Sequence, residues 1–391
     1  PAPPRPARRR RRAGVALTAA AGALAAALAG CSASAGTAAA GAISVTTGSC
    51  GARWHLAAAG WHTFTITNAS SEAAEVNLIN PASGAIYAEI EAMGPGTSQP
   101  MRLKVGSGTY AFQCVLADTD PVQGPSVTVA GHVRGAPAVL PVTTNDLIVP
   151  AREYHAYVTA GLVALVSEVK ALAAAIGAGQ LARARAAWLP AHLTYERLGA
   201  AYGTFGDFDT AIDTRADGLA GGVSDPQFTG FYRIEYGLWH GQSAAQLKGP
   251  ATALLHSVLG LQAAFPAMEV DFLDIGLRTH EILENALQFQ LSGHDDYGSG
   301  TTLATTAANI TGTEELLTIL HPILAARYPG LPGVYQWLDR LQALLGAQHH
   351  GATWTPVSKL PTPARQQIDA AASQSLQELA PIAVITEPRR V

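Results

Sequence analysis

Cysteine is scarce in this chain, three residues in 391, too few for a small scaffold held together by disulfides. Charged residues make up only 14%, yet 48% of the chain is hydrophobic and the formal net charge is −4, a balance that excludes intrinsic disorder. There is no basic excess of the kind that marks a nucleic-acid binder, so nucleic acid is not an expected partner. Beyond residue 30 no run of about 18 apolar residues is free of charge, so the body reads as soluble rather than membrane-spanning. The His-Glu-x-x-His arrangement of zincin peptidases is missing, and no internal repeat is visible. What remains is a globular chain long enough for two or three domains and a sizeable core.

The first thirty residues contain no acid but carry Arg5 and Arg8 to Arg12, six of the 25 basic residues. Without them 19 basic face 29 acidic residues, a net of −10 that favours cations over phosphates as partners. Arg8–Arg12, the small apolar run Ala13–Gly30 and Cys31 follow the positive–apolar–small order of a secretory signal. Leu28-Ala29-Gly30-Cys31 resembles a bacterial lipobox, in which the cysteine thiol is lipidated and becomes the new N-terminus. A plain secretory signal with an incidental cysteine is the alternative, and the arginines leave both Sec and twin-arginine export open. Ser32–Gly41 reads as a small-residue tether. With Cys31 lipidated, Cys50 and Cys114 remain as an even pair in an oxidising compartment.

Residues 42–130 read as short strands. His62, Phe64 and Ile66 alternate with threonines. Met101, Leu103 and Val105 alternate up to Gly106-Ser107-Gly108, and Tyr110, Phe112 and Cys114 alternate back, predicting a hairpin with Cys114 pointing inward. The pattern is that of a small β-sandwich. Residues 131–146 form a Pro/Gly-punctuated linker. From 147 to 391 the period changes: Tyr154, Val158, Leu162, Leu165, Val169 and Leu172 recur at helical steps, Gly177-Ala178-Gly179 ends that helix, and a second runs over about 180–203 past Pro190. Helices near 227–240, 251–265, 268–291, 302–327, 333–346 and 363–379 complete an all-α bundle.

Three groups in the bundle suggest chemistry. His192 and Glu196 share a helix face, the dense run Asp207, Asp209, Asp213 and Asp217 follows, and Tyr232 lies one turn from Glu235; His280 and Glu284 form a further i,i+4 pair, followed by Asp295. Imidazoles and carboxylates on facing helices are how bundle metal sites are built, and an oxygen-rich, nitrogen-poor set suits iron, manganese or zinc. Each group also has a bland reading: a solvated helix face for the pairs, helix caps for the aspartates, core packing for Tyr232.

The ordered tracts His192-Leu193-Thr194-Tyr195-Glu196-Arg197, Phe205-Gly206-Asp207-Phe208-Asp209, Ile212-Asp213 and Phe228 to Trp239 resemble the EfeO branch of the imelysin-like family. The strand-rich front portion is similar to the cupredoxin-like domain that precedes the bundle there. The resemblance implies an N-terminal all-β cupredoxin-like sandwich followed by an all-α imelysin-like bundle. It further implies metal ligation through a His-x-x-Glu signature and neighbouring acids. Glu235 matches the signature Glu, and Glu196 and Asp213 fall on acidic positions. The signature His is Tyr232 here, and a family Glu is Gly199, so Tyr232 or His192 would complete the shell. Glu284 falls on a looser acidic match, where Tyr297-Gly298-Ser299-Gly300 replaces the usual tract. In the front domain Cys50, Glu75 and Cys114 match a suggested copper or iron site, with Phe112 in place of a Met. Thiolates there would bind copper, whereas a disulfide would not.

The function the resemblance implies is an exported, lipid-anchored iron-binding component of an EfeUOB-like uptake system, on the outer face of the cytoplasmic membrane. An iron permease and a dye-decolorising-type haem peroxidase would be its partners. The alternatives are an imelysin-like zinc metallopeptidase, or a structural surface lipoprotein with a degraded metal site.

Overall fold

The computed structural model describes residues 42–117 and 119–389; the expected signal (1–30), Cys31 and the tether (31–41) lie outside the described residues. The front of the chain forms two facing sheets. One has the order β2 (Ser49–Cys50), β1 (Ile43–Thr46), β3 (Gly60–Asn68), β6 (Ser98–Val105), with β1 and β3 parallel. The other has the order β5 (Ile86–Met93), β4 (Ala74–Ile79), β7 (Gly108–Leu116), β8 (Val122–Gln123), with β9 (Val127–Val129) also on β7. Alternation works as the sequence predicts: His62, Phe64 and Ile66 of β3 are buried between the sheets. Phe112 packs edge-on against Phe64 and Trp54 at ring distances of 5.2 and 5.0 Å.

The expected hairpin is not formed. β6 pairs with β3 and β7 with β4, so Gly106-Ser107 carries the chain from one sheet to the other. Two strands with one apolar face each satisfy burial equally well by pairing or by facing one another across a core. At this crossing the linker packs on the turn: Gly106 and Gly135 meet back to back, and a Cβ on either would collide with the other's backbone.

A capping box between Thr143 and Asp146 opens α1 (Thr144–Gly177). There follow α2 (Leu181–Glu196), α3 (Tyr202–Phe205), α4 (Asp207–Asp213), α5 (Gly230–Trp239), α6 (Ala244–Ala264), α7 (Phe272–Asn285), α8 (Thr302–Leu324), α9 (Leu331–Gly346) and α10 (Thr362–Thr386). α1 is long and apolar enough, by length and composition, to cross a membrane. It packs against α2 and α6, burying Tyr154, Val158, Leu162, Leu165 and Val169 and exposing Arg152, Glu153 and Lys170, as a core helix of a bundle does. α7 lies against α8 and α10, and α9 against α10. The second expected helix stops at Glu196, where a short 3-10 turn at Gly199–Ala201 intervenes, and the aspartate run is itself helical in α4. Sandwich and bundle belong to one compact unit. Arg389, beyond α10, donates to both carboxylate oxygens of Glu89 on β5 at 3.0 and 3.1 Å.

Cys50 and Cys114 are joined by a disulfide that ties β2 to β7 across the core. Glu75 cannot join them. On β4, Val76 sits opposite Cys114 while Glu75 sits opposite Val115, and successive residues of a strand face opposite sides. Glu75 instead accepts a 2.7 Å bond from Asn77, so of the two readings of Cys50, Glu75 and Cys114, disulfide or metal site, the structure has the disulfide. The bridge closes a chain separation of 64 residues, for which loop entropy gives a stabilisation of about 4 kcal/mol at most. A Cys31→Ser chain denatured without reductant should titrate no free thiol, and adding Cys50→Ser with Cys114→Ser should lower front-domain stability in urea by roughly 2–4 kcal/mol. Two free thiols in the first experiment would refute the bridge.

Candidate metal centre

The inward stripe of α2 runs Ala184, Trp188, Ala191, His192, Tyr195 and Glu196, all buried. A helix repeats every 3.6 residues, so placing His192 and Glu196 four apart on the line of Trp188 sends both polar groups into the core. Asp213, the last residue of α4, meets them from the neighbouring element. His192 Nε2 lies 3.0 Å from Glu196 Oε1 and 3.4 Å from Asp213 Oδ1, and the three ligand atoms all fall within 4.8 Å of one another. Trp188, Phe231 and Tyr232 surround the imidazole at ring distances of 4.8, 5.3 and 5.2 Å.

These atoms converge without hydrogen-bonding. Both His192 ring nitrogens and Asp213 Oδ1 are buried with no hydrogen-bond partner, because the short distances are not matched by the N–H direction. Buried polar atoms left so are costly and rare, and they cluster where a ligand completes them. Burial by itself would keep His192 neutral, but Asp213 and Glu196 outweigh it and hold the imidazole charged, its pKa raised. Burial pushes the Asp213 carboxyl up, against the pull of His192. A proton on His192 therefore occupies the place between the carboxylates that a cation would take.

A second set of acids lies beside this triad. Gly230 opens α5 in the left-handed region (φ +75°), and a Cβ there would collide with the Ile212 carbonyl at the end of α4, so only glycine lets the two helices approach this closely. Trp188 Nε1 donates to Phe231 O at 3.0 Å and ties α5 to α2. Glu235 is buried; its Oε1 accepts from the Ser299 N–H at 3.0 Å, its Oε2 has no partner, and burial pushes its pKa up to about 7. Glu235 is not among the three atoms that meet at His192. The Tyr232 hydroxyl donates to Asp295 Oδ2 at 3.1 Å, which also accepts from Gln290 at 2.6 Å; burial pushes Asp295 up to about 6 and the Tyr232 phenol well above its ordinary value.

Glu196, Asp213 and Tyr232 share a cleft of about 390 Å³ with Gly199, Tyr202, Asp209, Asp217, Arg215, Arg278, Asn285, Gln290 and Asn309 among its lining. Asp209 accepts from the Tyr195 hydroxyl at 2.5 Å. Glu284 lies elsewhere: its side chain is 60% exposed and faces His280 at 3.7 Å on the surface of α7, which corrects its expected place among the ligands. Gln290, Arg215 and Arg278 were not singled out by the sequence reading. Arg215 stands between two expected acids and had a signal; Gln290 sits in a π-helical turn (Ala286–Gln290) that no periodicity announces.

A donor set of one imidazole and two carboxylates, with no sulfur, suits iron, manganese or zinc and disfavours copper(I). The Imelysin family model (Peptidase_M75) matches residues 150–269. The iron uptake system component EfeO of Yersinia pestis is 30% identical over 261 residues, covering 67% of this chain and 68% of that protein. The protein of the same name from Escherichia coli K12 is 30% identical over 273 residues, covering 68% and 70%. Among solved structures, dithionite-reduced auracyanin from Roseiflexus castenholzii aligns with 25% of this chain and 100% of its own, at 18% identity and a TM-score of 0.20, too loose a likeness to bear on function. With the two EfeO proteins matched at this identity over two thirds of their length, the chain belongs to the EfeO family of imelysin-like proteins.

Proposed function

We propose that this protein is an iron-binding component of an iron-uptake system, holding the ion between His192, Glu196 and Asp213 and passing it on. The observation that carries the reading is the convergence of His192, Glu196 and Asp213 within 4.8 Å, with the His192 ring nitrogens and Asp213 Oδ1 buried and without hydrogen-bond partners. Its kinship with EfeO proteins supports iron as the cargo. Glu196 and Asp213 would neutralise the ion and His192 would supply a nitrogen after losing its proton. Glu235 and Asp295 would remain behind as a neighbouring acidic layer, with Tyr232 a hydrogen-bond donor to Asp295 rather than a ligand. Export and a lipid anchor at Cys31 belong to the same proposal, supported by the lipobox-like tract and by a disulfide that suits an oxidising compartment. A permease and a haem peroxidase of the same system would be its partners. The chain is read as a binder and not as a hydrolase: its signature position is Tyr232, whose phenol burial keeps neutral.

Three outcomes follow for the full-length protein. Glu196→Gln and Asp213→Asn should each weaken anaerobic ferrous-iron binding by at least tenfold in titration calorimetry, while Glu284→Gln leaves it as in the parent; equal effects at all three would remove the triad from the account. Because metal must displace the proton that Glu196 and Asp213 hold on His192, affinity should rise with pH and fall on acidification. A loss of about tenfold per pH unit per displaced proton is expected between pH 7 and 5, and a flat profile would contradict the mechanism. Tyr232→Phe should change neither iron stoichiometry nor the visible spectrum of ferric-loaded protein; a phenolate charge-transfer band lost in the variant would instead make Tyr232 a ligand.

A further inference from the structure

We propose that the cleft receives iron together with a small polycarboxylate, as a hydroxycarboxylate chelate whose free carboxylates are held by Arg215 and Arg278. This rests on the reading of His192, Glu196 and Asp213 as the iron site. Three protein donors leave about half of an octahedral iron's positions open, as in other iron sites with three protein ligands. The cleft is also far larger than an ion requires: about 390 Å³, where a single water needs only about 10–15 Å³ of such space. Something besides the metal fits there, and its chemistry is set by what lines the walls.

Arg215 and Arg278 line the same cleft as Glu196 and Asp213. The Arg215 guanidinium carbon sits 3.7 Å from the centre of the Phe289 ring, and its nearest approach to the Asp295 carboxylate is 4.0 Å, beyond hydrogen-bonding distance. Arg278 pairs with Glu281 at 3.1 Å through one terminal nitrogen, while its buried Nε has no partner. Planar guanidinium forks with unused N–H groups are the side chains best shaped to read carboxylates.

The remaining charges determine how such an anion enters. Asp209 and Asp217 face the same space as Glu196 and Asp213, four acids against the two guanidinium groups. A free polyanion is therefore repelled. A ferric ion seated between Glu196 and Asp213 brings three positive charges to that wall, so the anion is admitted with the metal and not before it. Binding of the two should accordingly be conditional, iron first or together.

Equilibrium dialysis of the full chain against radiolabelled iron and radiolabelled citrate tests this. The expected result is about one citrate retained per ferric ion and none by the iron-free protein. Arg215→Gln with Arg278→Gln should lower the citrate-to-iron ratio by at least tenfold, and Arg215→Lys with Arg278→Lys, which keeps both charges and guards against misfolding of the first variant, should lower it less. With both ligands present, iron retained without citrate, citrate retained without iron, or an unchanged ratio in the glutamine variant would each overturn the proposal while leaving the iron site intact. Retention of no iron from either ferric citrate or citrate-free ferrous iron would overturn the iron site and this inference together.

Discussion

Two carboxylates buried against one imidazole set the terms for the rest of the bundle. Glu196 and His192 lie on the same inward stripe of α2 as Trp188, and Asp213 is brought to them by the end of α4. Burying charge without full hydrogen bonding is tolerated only where the surroundings are rigid enough to hold the groups together. That rigidity is visible in the aromatic shell of Trp188, Phe231 and Tyr232, in the bond from Trp188 to the α5 backbone, and in the close approach of α4 and α5 at Gly230. The helices around this point hold a polar cluster within a largely apolar core.

Most of the architecture was legible because hydrophobic period is a local property. The switch from alternation in β3 to three- and four-residue steps in α1 separates sandwich from bundle, and burial follows that pattern residue by residue. The hairpin failed for an instructive reason. Alternation in β6 and β7 reports that each strand has one apolar face, and it is silent on whether the partner lies beside the strand or across the core. Likewise, the aspartate run was readable as helix caps, yet Asp213 at the end of α4 faces His192.

Site residues divide along the same line. His192 with Glu196 was visible because i,i+4 spacing fixes a shared face, whereas His280 with Glu284 has the same spacing and points to solvent. Spacing states which side chains are neighbours and not which way the helix is turned; that is set by the stripe they belong to. Trp188 and Tyr195 accompany the first pair, while Glu284 falls off the buried line of Ile275, Thr279, Ile282 and Leu283. Glu75 fails through strand parity, since a single residue of register separates it from the face that holds Cys114. Gln290 comes from a wide helical turn, and Arg278 from α7, a helix far along the chain from Asp213; neither proximity is encoded in a short motif.

On the proposed reading the protein must also give up the iron it takes, and the place of His192 bears on that requirement. The proton on His192 lies between the two carboxylates and offsets their mutual repulsion. Release then exchanges one cation for another and does not expose bare charge in the core, which lowers the penalty of emptying the site relative to a pocket of carboxylates alone. The same exchange limits affinity, since every ion bound must displace a well-held proton. A site built for storage would gain from removing that competitor; one built for transfer gains from keeping it. On the proposed reading, His192, set between Glu196 and Asp213 instead of a third carboxylate, is the residue that would favour transfer over storage.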